Sequence, residues 1–194
     1  MTALSLLLAS SSPYRRELLA RLQLPFVYAS PDIDESPLPG EPISQLVQRL
    51  SRAKAEALAA THPATLIIGS DQAALLNGRV LGKPGDHAAA TAQLLAASGQ
   101  VVHFHTGLCL LNTQSGNCQL TEEIYEVHFR TLEPAAIERY LSAEQPYDCA
   151  GSFKAEGLGI SLFSGFAGRD PNSLIGLPLL ALCDFLRNEG VELP

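Results

Sequence analysis

Few side chains in this sequence are suited to chemistry, and most of them suit phosphate chemistry. Only three lysines occur among the 13 cationic residues: Lys54, Lys83 and Lys154. On a helical wheel Lys54 falls about 20° from Ile43, inside an apolar stripe with Val47, Leu50, Ala57 and Leu58. Arg52 and Glu56 fall on the opposite side, where charges belong. An unpaired ammonium in a core is costly. Lys54 therefore either snorkels out of the stripe or meets an anion in a cleft, and the spacing leaves both open. Lys83 stands in Gly82-Lys83-Pro84, beside glycine, and Lys154 in Phe153-Lys154-Ala155-Glu156-Gly157, between Gly151 and Gly157. Arg15 lies in the first turn of a helix that follows a strand. Open α/β sheets place ligands at such a point. The N–H groups around Ser10, Ser11 and Ser12 favour an anion there, although Ser-Ser-Ser-Pro is also an ordinary helix cap. Asp71 closes the apolar run Leu66-Ile67-Ile68-Gly69-Ser70, where a carboxylate has no packing role. Asp32, Asp34 and Glu35 follow the second strand in a loop, and Asp32 reads as a solvated turn residue. A divalent cation such as Mg²⁺ or Mn²⁺ needs only one or two carboxylates plus phosphate oxygens, which Glu35 and Asp71 can supply. Arg15, Lys54 and Lys83 would hold a polyphosphate while a carboxylate activates water. That set suits hydrolysis of a nucleotide phosphoanhydride.

The elements that position these groups alternate between strand and helix. Leu4–Ala9 reads as a buried strand rather than a secretion signal, since its apolar run is short and no positive charge precedes it. Ser12 and Pro13 open a helix to about Leu22. Phe26–Ala29 is a short strand, 31–40 an acidic loop, and 41–61 a helix. Thr65–Ser70 is a third strand ending at Asp71. Ala73–Leu76 and Arg79–Leu81 flank Asn77-Gly78, a hairpin signal. A helix over Asp86–Ser98 stops at Gly99. Val101–Leu111 and Leu120–Phe129 are long strands joined by a polar turn at Asn112–Asn117. A helix runs from Pro134 to about Ser142, Ala150–Phe163 is partly extended, and Leu177–Asn188 is the last helix. The pattern gives an α/β fold with a mixed twisted sheet and flanking helices, in a single domain over 1–194.

Composition bounds the function. The 194 residues are 46% hydrophobic and 17% charged, too apolar for a disordered chain. A net charge of −7 without a basic tail argues against a nucleic-acid binder. No run approaches the ~20 apolar residues of a membrane span. The four cysteines form no C-x-x-C pair and read as reduced thiols of a cytoplasmic protein. His103 and His105 alternate along a strand and read as a sheet face rather than a ligand pair.

Several segments together resemble the Maf/YceF family of nucleotide pyrophosphatases. They are the run from Leu8 to Leu19 (LASSSPYRRELL), Asp34-Glu35, Ala53-Lys54-Ala55, Gly69-Ser70-Asp71-Gln72, Gly82-Lys83-Pro84, Ala150-Gly151-Ser152-Phe153 and Gly176-Leu177-Pro178. Each is weak alone, but they keep the family order across nearly the whole chain. The resemblance implies an ITPase-like fold with two lobes around a central cleft. It also implies metal-dependent cleavage of a nucleoside triphosphate to the monophosphate and pyrophosphate, often in a homodimer. On this resemblance Asp71 accepts the proton, while Ser10, Arg15, Glu35, Lys54 and Lys83 handle phosphate and metal; Ser12 and Arg16, in the same opening motif, are further candidates for binding substrate. Tyr14, Gln72 and Glu156 stand where a branch acting on dTTP and UTP has Arg, Thr and Gln, so the chain resembles the branch acting on 7-methyl-GTP. That branch often has Trp where Tyr14 stands. The chemistry agrees: an aromatic face at Tyr14 attracts a cationic methylated base. Glu156 can accept from the guanine N1–H and N2–H₂ edge. Lys154 can contact phosphate or pair with Glu156. Read without the resemblance, Tyr14 is ordinary helix packing and Glu156 a turn residue. Two other readings are a pyrophosphatase for other noncanonical or pyrimidine nucleotides and a nucleotide-binding regulator of cell division.

Overall fold

A computed structural model describes residues 4–194. The chain forms two compact units. One comprises Met1–Gln72, Thr106–Glu123 and Asp170–Pro194, the other Ala73–His105 and Ile124–Arg169.

The first unit begins with β1 (Ser5–Ala9), α1 (Pro13–Ala20), β2 (Val27–Ala29) and α2 (Ile43–Ala57). It continues into β3 (Thr65–Leu76) and takes in parts of β5 (Val101–Asn112) and β6 (Cys118–Phe129). It closes with α5 (Pro171–Ile175) and α6 (Leu179–Asn188). Strand β1 pairs in parallel with β2 and with β3. Such strands are covered on both faces and read as unbroken apolar runs. Alternation then sorts the side chains. Leu6, Leu8, Leu66, Ile68, Leu108 and Leu110 pack with Leu18 and Leu19 of α1 and Leu182 and Leu186 of α6. Leu7, Ala9, Ile67, Cys109 and Leu111 pack with Ala55 of α2.

Glycines set how closely α2 approaches the strands. A Cβ at Gly69 would lie 2.0 Å from the Ser51 carbonyl oxygen, and one at Gly107 would lie 2.3 Å from that of Val47. Ser51 bridges the same contact: its Oγ donates to the Val47 carbonyl and accepts from Asp71 N–H.

In the second unit β3 turns into β4 (Arg79–Leu81) through Asn77 and Gly78, both at positive φ (49° and 77°), as a two-residue hairpin of this hand requires. Helix α3 (His87–Ala97) is capped by Asp86, whose carboxylate accepts from Ala89 N–H. Helix α4 (Pro134–Glu144) and β7 (Phe163–Ala167) complete the unit. Its core includes Phe104, Phe129, Phe153 and Phe163 in edge-to-face contact. Among the described residues the strands form a seven-stranded mixed sheet in the order β2-β1-β3-β5-β6-β7, with β4 on β3.

The α/β class with a mixed sheet is as the sequence implies, and the larger departures from the expected elements are these. Strand β3 does not end at Asp71 but runs through it to Leu76. The polar pair Asp71-Gln72 reads as a break, yet both residues find tertiary partners, described below. The segment 150–162 holds two 3₁₀ turns, Ala150–Ser152 and Leu158–Leu162, and extended chain resumes at Phe163. Helix α5 was not foreseen. The last helix starts at Leu179 rather than Leu177, because a residue preceding Pro178 is disfavoured in helical conformation.

Asp170 holds the start of both α5 and α6. Its fully buried carboxylate accepts from Asn172 N–H and Asn172 Nδ2 through one oxygen and from Leu180 N–H through the other. Removing it leaves two helix starts without their cap. Asp170→Ala is expected to lower stability by about 2–3 kcal/mol in urea denaturation, with Asp170→Asn retaining part of the loss.

Candidate active site

In the first unit Lys54 lies between two carboxylates. Its Nζ is 2.6 Å from Asp71 Oδ1 and 3.0 Å from Glu35 Oε1. The Lys54 side chain is 7% exposed, that of Asp71 11% and that of Glu35 57%. Lys54 thus does not snorkel; the charge inside the apolar stripe of α2 meets the acid presented by β3. Close seating of α2 at Gly69 and Gly107 brings the two within reach, and the Ser51–Asp71 bond fixes the register.

The Glu35 loop is pinned on either side. Asp34 Oδ1 accepts from Ser36 N–H at 2.8 Å, and the Ser36 hydroxyl, with that backbone bond second, draws the Asp34 carboxyl below its usual range. Arg49 of α2 donates to the Ser36 carbonyl at 3.1 Å and to both oxygens of Glu41 at 2.6 and 2.8 Å. The Arg49 bond holds the Glu41 carboxyl down at about 2. The clamp is therefore fully formed above the ordinary carboxylate range and is lost only as pH falls toward 2.

Arg15 faces the same acids. Burial lowers its pKa, and the negative charges of Asp71 and Glu35 act against that shift. Its Nε donates to the Gly176 carbonyl at 2.8 Å. Ser70 Oγ shares its proton between that carbonyl (3.0 Å) and the Gly107 carbonyl (2.8 Å). Gly176 sits at φ 123° just after α5, and a Cβ there would lie 3.4 Å from Arg15 Nε. The loop after α5 is thereby tied to β3 and α1. Gln72 adds to this: its Nε2 donates toward the Ser173 carbonyl (2.7 Å), the Leu174 carbonyl (3.0 Å) and Thr106 Oγ1 (3.0 Å).

Other expected residues have mainly local roles in the structure. Ser12 caps α1 through Arg15 N–H at 3.4 Å, and Ser10 Oγ accepts from Ser12 N–H at 3.1 Å. Arg16 lies over the Tyr28 ring, its Cζ 4.4 Å from the centroid. Tyr14 is half-buried on α1. Lys83, Lys154 and Glu156 belong to the second unit. Lys83 is exposed between β4 and α3, Lys154 is half-buried with its backbone N–H on Tyr140 Oη, and Glu156 is exposed.

Ser51, Arg49, Glu41, Asp170, Gly69 and Gly107 support these elements without any one of them pointing to the site in the sequence. The available signals were glycines inside apolar strands, which mark close backbone approach, and an acid before proline, which marks a helix start.

Two carboxylates reaching one cation, with oxygen donors and no thiolate or imidazole, form a donor set that fits Mg²⁺ or Mn²⁺. Among the described residues no group of three or more His, Cys, Asp or Glu forms a closed metal cage. No helix among them is long and apolar enough to cross a membrane.

A strand acid and a helix lysine are thus buried together in an α/β unit, with a second acid arriving from a loop. The Maf-like protein family profile matches residues 5–189, and the chain belongs to the Maf family. It is 63% identical over 191 residues to the 7-methyl-GTP pyrophosphatase of Pseudomonas fluorescens, covering 98% of this chain and all of that one. It is 60% identical over 190 residues to the protein of the same name from Alcanivorax borkumensis, covering 98% and 96% of the two chains. To that of Pseudomonas aeruginosa it is 59% identical over 189 residues, covering 97% and 98%.

Proposed function

We propose that this protein hydrolyses 7-methyl-GTP to 7-methyl-GMP and pyrophosphate. The observation that carries the reading is Lys54 held between Asp71 and Glu35, a compact charge set ready for a polyphosphate and its cation. Membership of the Maf family and the names of the relatives support the reaction and the substrate.

Asp71 takes a proton from water, whose oxygen attacks the α-phosphorus. The α–β anhydride bond breaks and pyrophosphate leaves. Glu35 and Asp71 would hold Mg²⁺ or Mn²⁺, which when bound neutralises phosphate charge. Lys54 aims the Asp71 carboxylate and meets the phosphates with Arg15. The family motif assigns Lys83 to the same phosphates and Tyr14, Gln72 and Glu156 to the base, and Lys154 would contact phosphate or pair with Glu156. Gln72 would act through the α5 carbonyls it grips.

The test is pyrophosphate release from 7-methyl-GTP, GTP, dTTP and UTP, with Mg²⁺ or Mn²⁺ and with chelator. Fastest turnover of the methylated nucleotide, lost with chelator, is the expected result. Equal or faster turnover of dTTP and UTP removes the specificity, and the absence of pyrophosphate with every nucleotide removes the enzyme. Glu156→Gln is expected to reduce the preference for 7-methyl-GTP over GTP roughly tenfold, through loss of a charge-assisted pair. Its kcat on GTP changes much less.

A further inference from the structure

Two thiols stand together in the first unit, apart from the groups used above. Cys109 on β5 and Cys118 at the start of β6 place their sulfurs 3.3 Å apart, and both are free. The two strands are neighbours in the sheet, joined by a turn in which Asn112 N–H donates to the Asn117 carbonyl. Cys109 is fully buried among Leu7, Ile67, Leu111 and Ala55, while Cys118 is half-buried. Arg52 of α2 interacts electrostatically with both sulfurs.

We propose that Cys109 and Cys118 form a reversible oxidation site that closes to a disulfide under peroxide. A disulfide needs about 2.05 Å between sulfurs, so the pair has only a little over 1 Å to close. A thiol pair serving packing alone has no need to converge, since each sulfur can be covered by carbon. A soft-metal site is the less favoured use, because among the described residues no third His, Cys, Asp or Glu completes a metal group there.

The order of events follows from access and charge. Cys118 reaches solvent and has the Arg52 guanidinium nearby, so peroxide meets it first. Its sulfur attacks one peroxide oxygen and the O–O bond breaks, giving a sulfenic acid and hydroxide. Burial pushes the Cys109 thiol up, so it is the poorer first nucleophile and the resolving partner. Its sulfur displaces the sulfenic oxygen, which leaves as water with the Cys109 proton. Two thiols and one hydrogen peroxide thus give one disulfide and two waters. The product staples β5 to β6 directly beneath Ala55, the residue after Lys54.

The test uses the whole reduced chain treated with hydrogen peroxide, quenched, and then unfolded in urea with N-ethylmaleimide present so that buried thiols are also blocked. Chymotrypsin cleaves after Leu110 and Leu111 and so separates the two cysteines. The expected result is a linked pair of peptides carrying Cys109 and Cys118, with maleimide labelling at Cys149 and Cys183 unchanged. Dithiothreitol returns two maleimide sites. In Cys109→Ser, Cys118 is expected to persist as a sulfenic acid that dimedone captures. The proposal is overturned if all four cysteines remain labelled, if the link joins Cys149 or Cys183, or if Cys118 passes to sulfinic acid in the wild-type chain without linking. None of these readings depends on nucleotide turnover, so the site stands or falls apart from the proposed activity.

Discussion

Lys54→Met is expected to cost the protein both stability and turnover, and a second substitution separates the two. The pair Lys54–Asp71 is nearly buried, with side chains 7% and 11% exposed. Methionine keeps the length of the stem and fills the apolar stripe but leaves the Asp71 carboxylate without its cation. Breaking one side of a buried pair costs about 3–5 kcal/mol. Replacing both sides with apolar groups of similar volume is often neutral or better. Lys54→Met/Asp71→Leu is therefore expected to recover most of the urea midpoint lost in Lys54→Met. Turnover follows a different rule. The proposed reaction needs the carboxylate as base and the ammonium as a phosphate partner, so the double variant stays at least about 100-fold down in kcat. Asp71→Asn, which keeps the shape, falls by about 10³-fold in kcat. Recovery of activity together with stability in the double variant would show that the pair is a packing device and that the chemistry lies elsewhere.

The pairing was half legible in the sequence. A lysine in the middle of an apolar helical stripe is an anomaly that periodicity exposes, and an acid within a largely apolar strand is another. Neither says that the two meet, because partner choice depends on how far α2 stands from the sheet. Gly69 and Gly107 carry that information: they belong to different strands, and each becomes meaningful only when strand order brings it under α2. The same holds for β3. Its polar pair Asp71-Gln72 looks like a strand end, since a lone sequence window contains no partner for either side chain. Ser51, Lys54, Thr106 and the α5 carbonyls supply those partners from 17 to 102 residues away. Helix α5 has five residues, too short for periodicity to register. Its Asp-Pro-Asn start was the only local sign. The Glu35 loop was seen as acidic, but the bracing by Arg49 and Glu41 joins residues in a loop and a helix whose charges look like ordinary solvated ones. Helices α1 and α3 were plain from their caps, and the β3–β4 hairpin from Asn77-Gly78, because those signals are local.

Gly69→Ala tests whether the seating of α2 sets the site. A Cβ at residue 69 would lie 2.0 Å from the Ser51 carbonyl oxygen and 3.0 Å from Ala55 N. Both are backbone atoms within a 15-residue helix, so no rotamer change relieves the overlap. The helix must retreat from the strand, which opens the contacts of Ala55 with Leu7 and Ile67 and draws Lys54 away from Asp71. Overpacking of this kind costs roughly 3 kcal/mol or more when the backbone itself is the obstacle. Gly78→Ala is a control of another kind: its φ is 77° but a Cβ there meets nothing within 4 Å, so it carries only the backbone strain of a turn, about 1 kcal/mol. Gly69→Ala is expected to shift the urea midpoint far more than Gly78→Ala. It is also expected to reduce kcat on 7-methyl-GTP by at least about tenfold in whatever fraction stays folded at low temperature, since a displacement near 1 Å is enough to spoil a charge pair. Full stability and full turnover in Gly69→Ala would mean that α2 tolerates a wider seat, and that something other than this glycine holds Lys54 to Asp71.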